Sequence, residues 1–316
     1  MSREGFEAEA RRILGDARLL RDAPLAPRTS FKVGGAADWL ADVRSTTELG
    51  AILQAARASD IPVTLLGGGS NVLVADSGVR GVVIRLHLTG ISQPSESIVA
   101  AEAGVTINGL VRWTVGRGLS GLEAWAGTPG TVGGAIHGNA HWKGRNIGDI
   151  VHRATLCSRD GVSTVVAAAD MEFGYDRSRL QRTGEILVSA DVHVTPGDVQ
   201  ALREIARESL AFRKRTQPLA APSAGCIFQN PDPAQEDVPP GVPPSAGALI
   251  DRAGLKGRQI GGARISDTHA NFIVNDGTAT AADIRSLIEL ARRTVATEFG
   301  VVLRDEVVYL GTFSNG

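Results

Sequence analysis

The sequence predicts an α+β protein of two domains. Short apolar runs rich in β-branched residues alternate with segments of helical periodicity along the chain. The length of 316 residues exceeds the roughly 150 residues of an average domain. A turn at Thr195-Pro196-Gly197-Asp198 marks a seam between the two parts. We therefore expect an N-terminal helical segment over 1–27, a first domain over 28–196 and a second domain over 197–316.

The predicted elements of the first part follow from caps and apolar runs. Ser45 and Glu48 form a capping box that opens a helix, and Thr106 caps a second helix. Arg159-Asp160-Gly161 between two β-branched runs indicates a hairpin. The predicted strands are Val63 to Leu66, Gly81 to Leu86, Ser97 to Ala103, Ala154 to Ser158, Val162 to Ala167 and Ile186 to Val194.

In the second part the last helix carries the clearest signals. Thr280 and Asp283 form its cap, and Gly300 ends it before a predicted strand from Val301 to Leu303. Asp198 caps an earlier helix, and the prolines of 231–244 predict a loop.

Composition excludes several classes of protein. The 33 Lys and Arg residues nearly balance 34 Asp and Glu residues, so we expect no nucleic-acid or membrane partner. Cys157 and Cys226 form neither a disulfide framework nor a metal-ligand spacing, which fits a reducing compartment. With no signal peptide and no apolar stretch near the ~18 residues of a membrane span, we expect a cytoplasmic protein, and we expect it to be a monomer without a metal.

Glycine is unusually frequent, with 38 residues against an average usage of roughly 7%. One cluster is Leu66-Gly67-Gly68-Gly69-Ser70-Asn71-Val72, where successive backbone N–H groups could cradle a pyrophosphate. Phosphate binding and a plain tight turn are about equally well supported here. The cluster lacks the dinucleotide G-x-G-x-x-G pattern, because Val72 occupies the last glycine position.

A second, denser cluster runs from Ala126 to Ala135 and ends near Asn139. Pro129-Gly130 fixes a turn, and Gly133-Gly134 permits the close approach of a ligand or a packed helix. Two such clusters, each after an apolar run, are best explained by one extended nucleotide.

Five segments in order along the chain resemble the UDP-N-acetylenolpyruvoylglucosamine reductase family. The match covers roughly residues 28–311, which makes chance matching of motifs a poor explanation. The segments are Thr29 to Ala37, Leu66 to Val74, Gly118 to Ala140, Ser245 to Asn275 and Leu303 to Gly311.

The resemblance implies a two-subdomain FAD-binding fold of the vanillyl-alcohol oxidase and p-cresol methylhydroxylase type, followed by an α+β substrate-binding domain. It implies that NADPH reduces noncovalently bound FAD. Reduced flavin then passes hydride to UDP-N-acetylglucosamine enolpyruvate, giving UDP-N-acetylmuramate for peptidoglycan synthesis. The residues expected to contact FAD are Gly67, Gly68, Gly69, Ser70, Asn71, Val72, Gly127, Thr128, Pro129, Gly130, Thr131, Gly133, Gly134, Ala135 and Asn139.

Hydride addition to an enol-ether carboxylate requires a proton donor and a cation or acid near the carboxylate. The family segment A-G-S-x-F-K-N-P reads Ala224-Gly225-Cys226-Ile227-Phe228-Gln229-Asn230-Pro231 here, which places Cys226 at the serine proton donor. A thiol, with a reference pKa of about 8.5, is a stronger acid than an alcohol. The alternative is that Cys226 is a small buried hydrophobe.

Glu306 corresponds to the family's C-terminal catalytic glutamate. The resemblance implies that it polarises the carboxylate or enol as a protonated acid with a raised pKa. The alternative is a solvated strand glutamate.

The family arginine is displaced. The pattern F-x-Y-R-x-S reads Phe173-Gly174-Tyr175-Asp176-Arg177-Ser178, so we assign the role to Arg177, with Arg179 as the fallback and a surface arginine as the alternative. The expected substrate-binding residues are Tyr175, Lys214, Arg215, Gln229 and Asn230.

Other departures from the family are local. Gln229 replaces a lysine, and Arg213, Lys214 or Arg215 could replace its charge. Residues 139–144 depart from the family's N-A-G-A-Y-G. Covalent flavin attachment at His137 is not expected, and His269 is either a motif residue or a structural histidine.

Two other functions remain open from the sequence. One is an FAD oxidase of the same fold that acts on a sugar lactone or hydroxy acid. The other is a noncatalytic nucleotide-binding relative, suggested by the displaced arginine and by cysteine at the serine position.

Overall fold

The computed structural model describes residues 2–233, 236 and 238–313. The described chain contains the helices α1 (Arg3–Leu14), α2 (Thr46–Ala58), α3 (Ile107–Val115), α4 (Val132–His137), α5 (Arg179–Thr183), α6 (Val199–Thr216), α7 (Ala246–Arg252) and α8 (Ala281–Phe299).

The strands of the first half are β1 (Leu19–Pro24), β2 (Ala36–Val43), β3 (Val63–Leu65), β4 (Val72–Val74), β5 (Val79–Leu86), β6 (Ile91–Ser95), β7 (Ile98–Glu102), β8 (Leu119–Ser120), β9 (His141–Trp142) and β10 (Arg145–Asn146). Those of the second half are β11 (Val151–Cys157), β12 (Ser163–Ala167), β13 (Ile186–His193), β14 (Thr195–Pro196), β15 (Gln259–Ile260), β16 (Ala263–Ile265), β17 (Ile273–Asn275) and β18 (Val308–Leu310).

The chain divides into two compact units. The first contains residues 2–23, 38–68 and 81–212, and the second contains 24–37, 69–80 and the described part of 213–313. Each unit is assembled from segments that are far apart in the sequence, so neither is a continuous stretch of chain.

The first unit contains two larger sheets and two short two-stranded sheets, β9-β10 and β8-β14. One larger sheet has four strands in the order β1-β2-β5-β3, and the other has five antiparallel strands in the order β12-β11-β13-β7-β6. Apolar residues of α1 and α2 pack on the first sheet in one core, and those of α3 and α4 pack on the second sheet in another. Burial of these apolar faces stabilises the unit.

The second unit has its own core. The small sheet β15-β16-β17 packs with α7 and α8, whose apolar stripe includes Ile284, Leu287 and Ile288. Parallel pairing of β4 with β18 joins Val72–Val74 to Val308–Leu310. That pairing places the end of the first glycine cluster in the second unit.

Contacts explain why the units differ from the predicted domain ranges. Phe6 of α1 is buried in the first unit's core, so α1 is part of that unit. Leu202 of α6 is buried there too, and Ser209 Oγ donates to the Ala124 carbonyl at 2.6 Å. The last segment of the second unit therefore begins inside α6, at Arg213.

Three predicted helices are confirmed with their N-caps, although the Glu48 side chain accepts from the Arg44 N–H rather than closing the predicted capping box with Ser45. Ser45 accepts from the Glu48 N–H, Thr106 accepts from the Gly109 N–H, and Thr280 and Asp283 form the capping box of α8. The described residues of 231–244 contain neither helix nor strand, as predicted.

The predicted strand from Val301 to Leu303 is wrong. Val301 and Leu303 are buried in the second unit's core without strand pairing, and the final strand lies later, at Val308–Leu310. The apolar residues on either side of exposed Val302 are buried, and this alternation resembles that of a strand. The strand β4, however, pairs with a later segment of the chain, Val308–Leu310. No helix in the described part of the chain is long and apolar enough to cross a membrane.

Candidate active site

Two glycine-rich loops of the first unit pack against each other. A Cβ atom on Gly68 would lie 2.7 Å from the Cα of Gly130, and one on Gly67 would lie 2.9 Å from Thr131 Oγ1. Because backbone cannot yield as a flexible side chain can, the approach of Gly68 to Gly130 requires glycine. The first cluster is therefore more than a simple turn.

The two packed loops share a surplus of hydrogen-bond donors. Within the described chain, the N–H groups of Gly67, Gly68, Gly130 and Thr131 donate no hydrogen bond to a protein group. Gly67 and Gly68 are exposed, and Gly130 and Thr131 are half-buried. Neighbouring unpaired N–H groups at a loop surface form a site suited to an anion.

Asn108 of α3 holds the start of the second cluster. Its Oδ1 accepts from the Gly127 N–H at 2.7 Å, and its Nδ2 donates to the Thr128 carbonyl at 3.1 Å. Gly127 has φ of 84°. The amide of Asn108 fixes this bend before the exposed Pro129.

The end of the second cluster forms α4. Thr131 caps this helix through the Gly134 N–H, and the N–H of Gly133 donates to the Ala103 carbonyl at 2.9 Å. A Cβ on Gly133 would lie only 3.2 Å from that carbonyl, whereas one on Gly134 would meet nothing nearer than 3.8 Å. Gly133 thus serves packing, Gly134 leaves an open surface, and Ala135 is buried.

Asn139 positions two segments of the first unit. It is 2% exposed, with φ of 44°. Its Nδ2 donates to the Gly174 carbonyl at 2.8 Å, and its Oδ1 accepts from the Gly148 N–H at 2.9 Å. Both polar atoms of the side chain therefore hold protein segments together. The sequence had predicted a contact of Asn139 with the cofactor and not this role.

The segment that should contain the family arginine is a tight turn from Gly174 to Arg177. The two residues exchange backbone hydrogen bonds of 2.9 and 3.2 Å. Tyr175 and Arg177 are exposed, and the Arg177 guanidinium folds over Gly174. Arg179 lies beyond the turn and is bound to Glu185 at 2.8 Å.

Asp176 occupies the inner side of this turn. Its side chain is 10% exposed, and its Oδ1 lies 3.1 Å from Nδ1 of His141. Its Oδ2 is buried and has no hydrogen-bond partner among the residues that the structure describes. The side chain at the position of the family arginine is therefore an inward-facing carboxylate beside an imidazole.

In the second unit, Cys226 and Glu306 lie on paired segments. The N–H of Glu306 donates to the Ile227 carbonyl at 2.8 Å, and Phe228 forms a β-bridge with Asp305. Cys226 and Glu306 are both half-buried. The pairing brings the predicted proton donor and the predicted acid to neighbouring backbone positions.

Two asparagines hold this pair of segments. Asn71 Nδ2 donates to the Glu306 carbonyl at 3.0 Å. Asn271 is 2% exposed; its Oδ1 accepts from the Phe228 N–H, and its Nδ2 donates to the Phe228 carbonyl. Asn71 belongs to the first glycine cluster, in which Gly69 is buried with φ of 65°, Ser70 is half-buried and Val72 begins β4.

The predicted substrate contacts of the second unit differ in exposure. Lys214 and Arg215 are exposed on α6, while Arg213 is buried. The Gln229 N–H donates to the Arg304 carbonyl at 2.9 Å, and the Asn230 Oδ1 accepts from the Ala246 N–H at the start of α7.

Burial lowers the pKa of Arg213 to about 10, although a negative charge on Cys226 acts in the opposite direction.

The two histidines considered from the sequence are both partly buried. His269 Nδ1 accepts from the Asn271 N–H at 3.2 Å. Burial, with a smaller contribution from Lys256, lowers the pKa of His269, and burial lowers that of His137. Both rings are therefore favoured in the neutral form.

Comparison with known proteins decides the family. A model of the UDP-N-acetylenolpyruvoylglucosamine reductase C-terminal domain matches residues 217–310, and a model of an FAD binding domain matches 37–166. The chain is 43% identical over 306 residues to the UDP-N-acetylenolpyruvoylglucosamine reductase of Anaeromyxobacter dehalogenans (strain 2CP-C), with 96% of this chain and 88% of the relative covered. The chain belongs to the UDP-N-acetylenolpyruvoylglucosamine reductase family.

Other members of the family agree. The reductase of Synechococcus sp. (strain JA-3-3Ab) is 39% identical over 300 residues, covering 94% of this chain and 93% of the relative. The crystal structure of the Thermus caldophilus reductase gives a TM-score of 0.75 at 33% identity, covering 93% of this chain and 98% of that one. The predictions of the family, of the α+β FAD-binding fold and of an FAD-dependent oxidoreductase are confirmed.

The packed glycine loops fit the cofactor of the family. FAD carries a pyrophosphate, and the unpaired N–H groups at Gly67, Gly68, Gly130 and Thr131 are the donors that such a group needs. In the described chain, no cluster of three or more His, Cys, Asp or Glu side chains could hold a metal ion.

Sequence reasoning missed several residues of this site. Asn108 and Asn271 act through both atoms of their side-chain amides, and no motif distinguished them from surface asparagines. His141 was noted only as a departure from the family, and Asp176 only as an obstacle to the arginine. Their contact across 35 residues was invisible before folding.

Proposed function

We propose that the protein reduces UDP-N-acetylglucosamine enolpyruvate to UDP-N-acetylmuramate in peptidoglycan synthesis, with Cys226 as the proton donor. Membership of the reductase family supports the reaction, together with the use of FAD and of NADPH as the electron donor. The observation that carries the assignment of residues is the pairing of the Cys226 segment with the Glu306 segment.

Bound FAD would supply the hydride for the enolpyruvyl double bond, with NADPH as the source of the electrons. In the first unit, the N–H groups of Gly67, Gly68, Gly130 and Thr131 would hold its pyrophosphate. Gly134 would give the cofactor an approach without a side chain, since the nearest described atom to a Cβ there is Thr131 Oγ1 at 3.8 Å. The other predicted contacts are Gly69, Ser70, Asn71, Val72, Gly127, Thr128, Pro129, Gly133, Ala135 and Asn139.

Cys226 supplies the proton that completes the reduction. A thiol holds its proton near neutral pH and yet releases it more readily than serine does. Buried Arg213 lies near enough for its charge to interact with an ionised Cys226. The guanidinium thus stabilises the thiolate that remains after the proton has been transferred.

Glu306 acts as a protonated acid that polarises the substrate carboxylate or enol. A bare carboxylate facing another carboxylate would repel it, so the protonated form suits this role. The hydrogen bond from Asn71 to the Glu306 carbonyl and the pairing with Ile227 fix the backbone that carries the acid.

Basic and polar groups bind the rest of the substrate. Arg177 offers a guanidinium to the substrate carboxylate, and Tyr175 lies beside it in the same turn. Lys214, Arg215, Gln229 and Asn230 bind the UDP portion. Two basic side chains on α6 replace the charge that is lost where Gln229 stands for lysine.

The protein acts as a cytoplasmic monomer on this proposal. The two cysteines without a disulfide framework support the compartment, since they fit a reducing environment. Light scattering at several protein concentrations tests the monomer: a mass of 33.0 kDa is expected, and a mass twice as large would contradict it.

Anaerobic half-reactions test the function. The purified protein should be yellow, NADPH should bleach its flavin absorbance, and UDP-N-acetylglucosamine enolpyruvate should restore the absorbance with formation of UDP-N-acetylmuramate. A reduced enzyme that oxygen reoxidises rapidly and the enolpyruvyl substrate does not would instead indicate an oxidase. A protein that binds no FAD would overturn the proposal.

A further inference from the structure

Arg292 of α8 contacts both of the paired segments in the candidate active site of the second unit. Its Nη2 donates to Asp305 Oδ1 at 2.5 Å, and its Nε donates to the Leu303 carbonyl at 3.3 Å. Its guanidinium carbon lies 5.8 Å from the centre of the Phe228 ring. One side chain of the helix therefore holds both segments.

The contacts of Arg292 fall where the two segments pair. Asp305 and Phe228 form the β-bridge between them. Glu306 is the residue after Asp305, and Cys226 is two residues before Phe228. The contacts at the bridge thus lie within two residues of the proposed acid and of the proposed proton donor.

An arginine suits this position because its three nitrogen atoms can donate in different directions. Nη1 donates to Glu289 Oε2 at 2.5 Å, while Nη2 and Nε donate to Asp305 and Leu303. Glu289 belongs to α8 itself, so the guanidinium joins the helix to the segment that carries Glu306.

Partial burial makes these contacts stronger than those of an ion pair on the open surface. The side chain of Arg292 is 22% exposed, that of Asp305 is 25% exposed and that of Glu289 is 29% exposed. Water and salt screen charges less in such surroundings. Removal of Arg292 would leave two partly buried carboxylates without the cation between them, so we expect the backbone at Asp305 to move.

The proposed reaction depends on where the acid and the proton donor lie. Hydride adds to the methylene carbon of the substrate, and the electron pair of the double bond moves towards the carbon that bears the carboxylate. The S–H bond of Cys226 breaks as a C–H bond forms at that carbon, which leaves a thiolate. Glu306 donates a hydrogen bond to the carboxylate, on which negative charge develops. A displacement of about 1 Å can slow such a step about 100-fold.

We propose that Arg292 is a positioning residue for this reduction. Through Asp305 it fixes the backbone that carries the Glu306 carboxyl group, and through Phe228 it fixes the segment that carries the Cys226 thiol. This inference rests on the proposed function, because it concerns the same acid and the same proton donor.

Transient kinetics of the FAD-loaded enzyme tests the inference. In Arg292→Met, reoxidation of the reduced enzyme by UDP-N-acetylglucosamine enolpyruvate should slow about 10- to 100-fold. Flavin reduction by NADPH should be unchanged, and so should the affinity of the oxidised enzyme for the same substrate. A variant with a lower melting temperature but parent-like reoxidation would overturn the inference, and so would equal slowing of both half-reactions.

Arg285→Met is the matched control. Arg285 forms an ion pair with the same Glu289 earlier in α8 and lies 4.4 Å from the centre of the Tyr309 ring. Its substitution removes an ion pair of the same helix and leaves the contact of Arg292 with Asp305 in place. Both half-reactions should proceed at the parent rate. Equal slowing in Arg285→Met and Arg292→Met would indicate a general loosening of α8 and would contradict the inference.

A double-mutant cycle shows whether Arg292 acts through Asp305. Asp305→Ala removes the same ion pair from its other side and should slow reoxidation as Arg292→Met does. The double variant should be no slower than the slower single variant, because one contact can be lost only once. If the two effects multiplied, the route through Asp305 would be rejected. If Arg292→Met does not fold, Asp305→Ala tests the two half-reactions with the same expected results.

The parent enzyme separates this inference from the proposed function. If the parent enzyme reduces the enolpyruvyl substrate and Arg292→Met does so at the same rate, only the inference fails. If NADPH reduces the FAD of the parent enzyme but the enolpyruvyl substrate does not reoxidise it, the proposed function fails, and the inference fails with it.

Discussion

Asn71 and Glu306 are 235 residues apart in the sequence and are joined by a 3.0 Å hydrogen bond from the side-chain amide to the backbone carbonyl. The backbone continues the contact, because the Val308 N–H donates to the Asn71 carbonyl at 3.0 Å. The first glycine cluster thus ends by fixing the segment that carries the proposed acid.

Removal of this amide should reduce turnover more than substrate affinity. Asn71→Ala deletes one hydrogen bond worth about 1 kcal/mol, so we expect kcat to fall about 3- to 10-fold while KM changes little. Steady-state kinetics on FAD-saturated enzyme measures the split.

Ser77→Ala is the control for Asn71. Ser77 Oγ donates to the Thr312 carbonyl across the same separation of 235 residues, away from Glu306. Turnover should be unchanged in this variant. If kcat fell as much as in Asn71→Ala, the effect would come from a weaker attachment of the whole C-terminal segment and not from the contact with Glu306.

Replacement of Cys226 should separate the two half-reactions. Cys226→Ala removes the proposed donor, so reduction of the enolpyruvyl substrate should slow by about 100-fold or more, while flavin reduction by NADPH continues. Cys226→Ser restores the family residue and should retain turnover. Stopped-flow absorbance follows each half-reaction separately.

Cys157→Ala serves as the matched cysteine control. Cys157 is buried in a core of the first unit, and burial raises its pKa. Its truncation should lower the melting temperature without slowing either half-reaction.

If Cys226→Ala reduced the substrate as fast as the parent enzyme does, the assignment of Cys226 as the proton donor would be rejected.

The buried guanidinium of Arg213 should make Cys226 more reactive. A cation near a thiol favours the thiolate, so Arg213→Met should slow alkylation of Cys226 by iodoacetamide near neutral pH. Mass spectrometry of the labelled peptide gives the rate. Exposed Lys214→Met is the control, and an equal decrease there would point to general surface charge instead.

A substitution at Gly134 tests whether FAD lies against this residue, because a methyl group there would not clash with the protein itself. Alanine at this helical position would meet no protein atom nearer than 3.8 Å, and should stabilise the FAD-free protein by about 0.5–1 kcal/mol. The added methyl should nevertheless weaken FAD binding, measured by flavin fluorescence. Gly138→Ala at the end of the same helix should leave FAD affinity unchanged.

Stability should decrease as the solution is acidified below about pH 6.5. Burial holds the pKa values of His137 and His269 below that of an unfolded histidine, so the unfolded chain binds more protons in this window. The stability contributed by the neutral rings is present above the unfolded pKa and is lost as the pH falls towards the folded pKa.

Thermal unfolding at several pH values measures this slope. His269→Gln should make it shallower, and the same change at exposed His152 should not alter it. A slope that is identical in the parent and in His269→Gln would show that His269 does not contribute.

Local chemistry made much of the fold predictable. Ser45, Thr106 and Thr280 cap helices because their side chains satisfy N–H groups within three residues, and such contacts can be read from the sequence. The two glycine clusters together indicated a nucleotide, although the first cluster alone fitted a tight turn equally well. The resemblance then identified the family, and with it the cofactor.

The tertiary structure decided the partners of residues that are distant in the chain. Sequence alone could not distinguish a strand at Val301–Leu303 from buried irregular chain, because only the pairing of β18 with β4 sets the last strand. It could not divide the units inside α6 either, because that boundary depends on contacts such as Ser209 with Ala124.

The dependence on contacts between distant residues also explains which features of the site could be predicted from the sequence and which could not. The sequence by itself determined the residue types available: a thiol at Cys226, an acid at Glu306 and a basic turn at Arg177. Only folding showed that Asp176 faces inward to His141 and that Asn71 holds Glu306. Side-chain direction depends on backbone torsion and long-range packing, neither of which a local motif encodes.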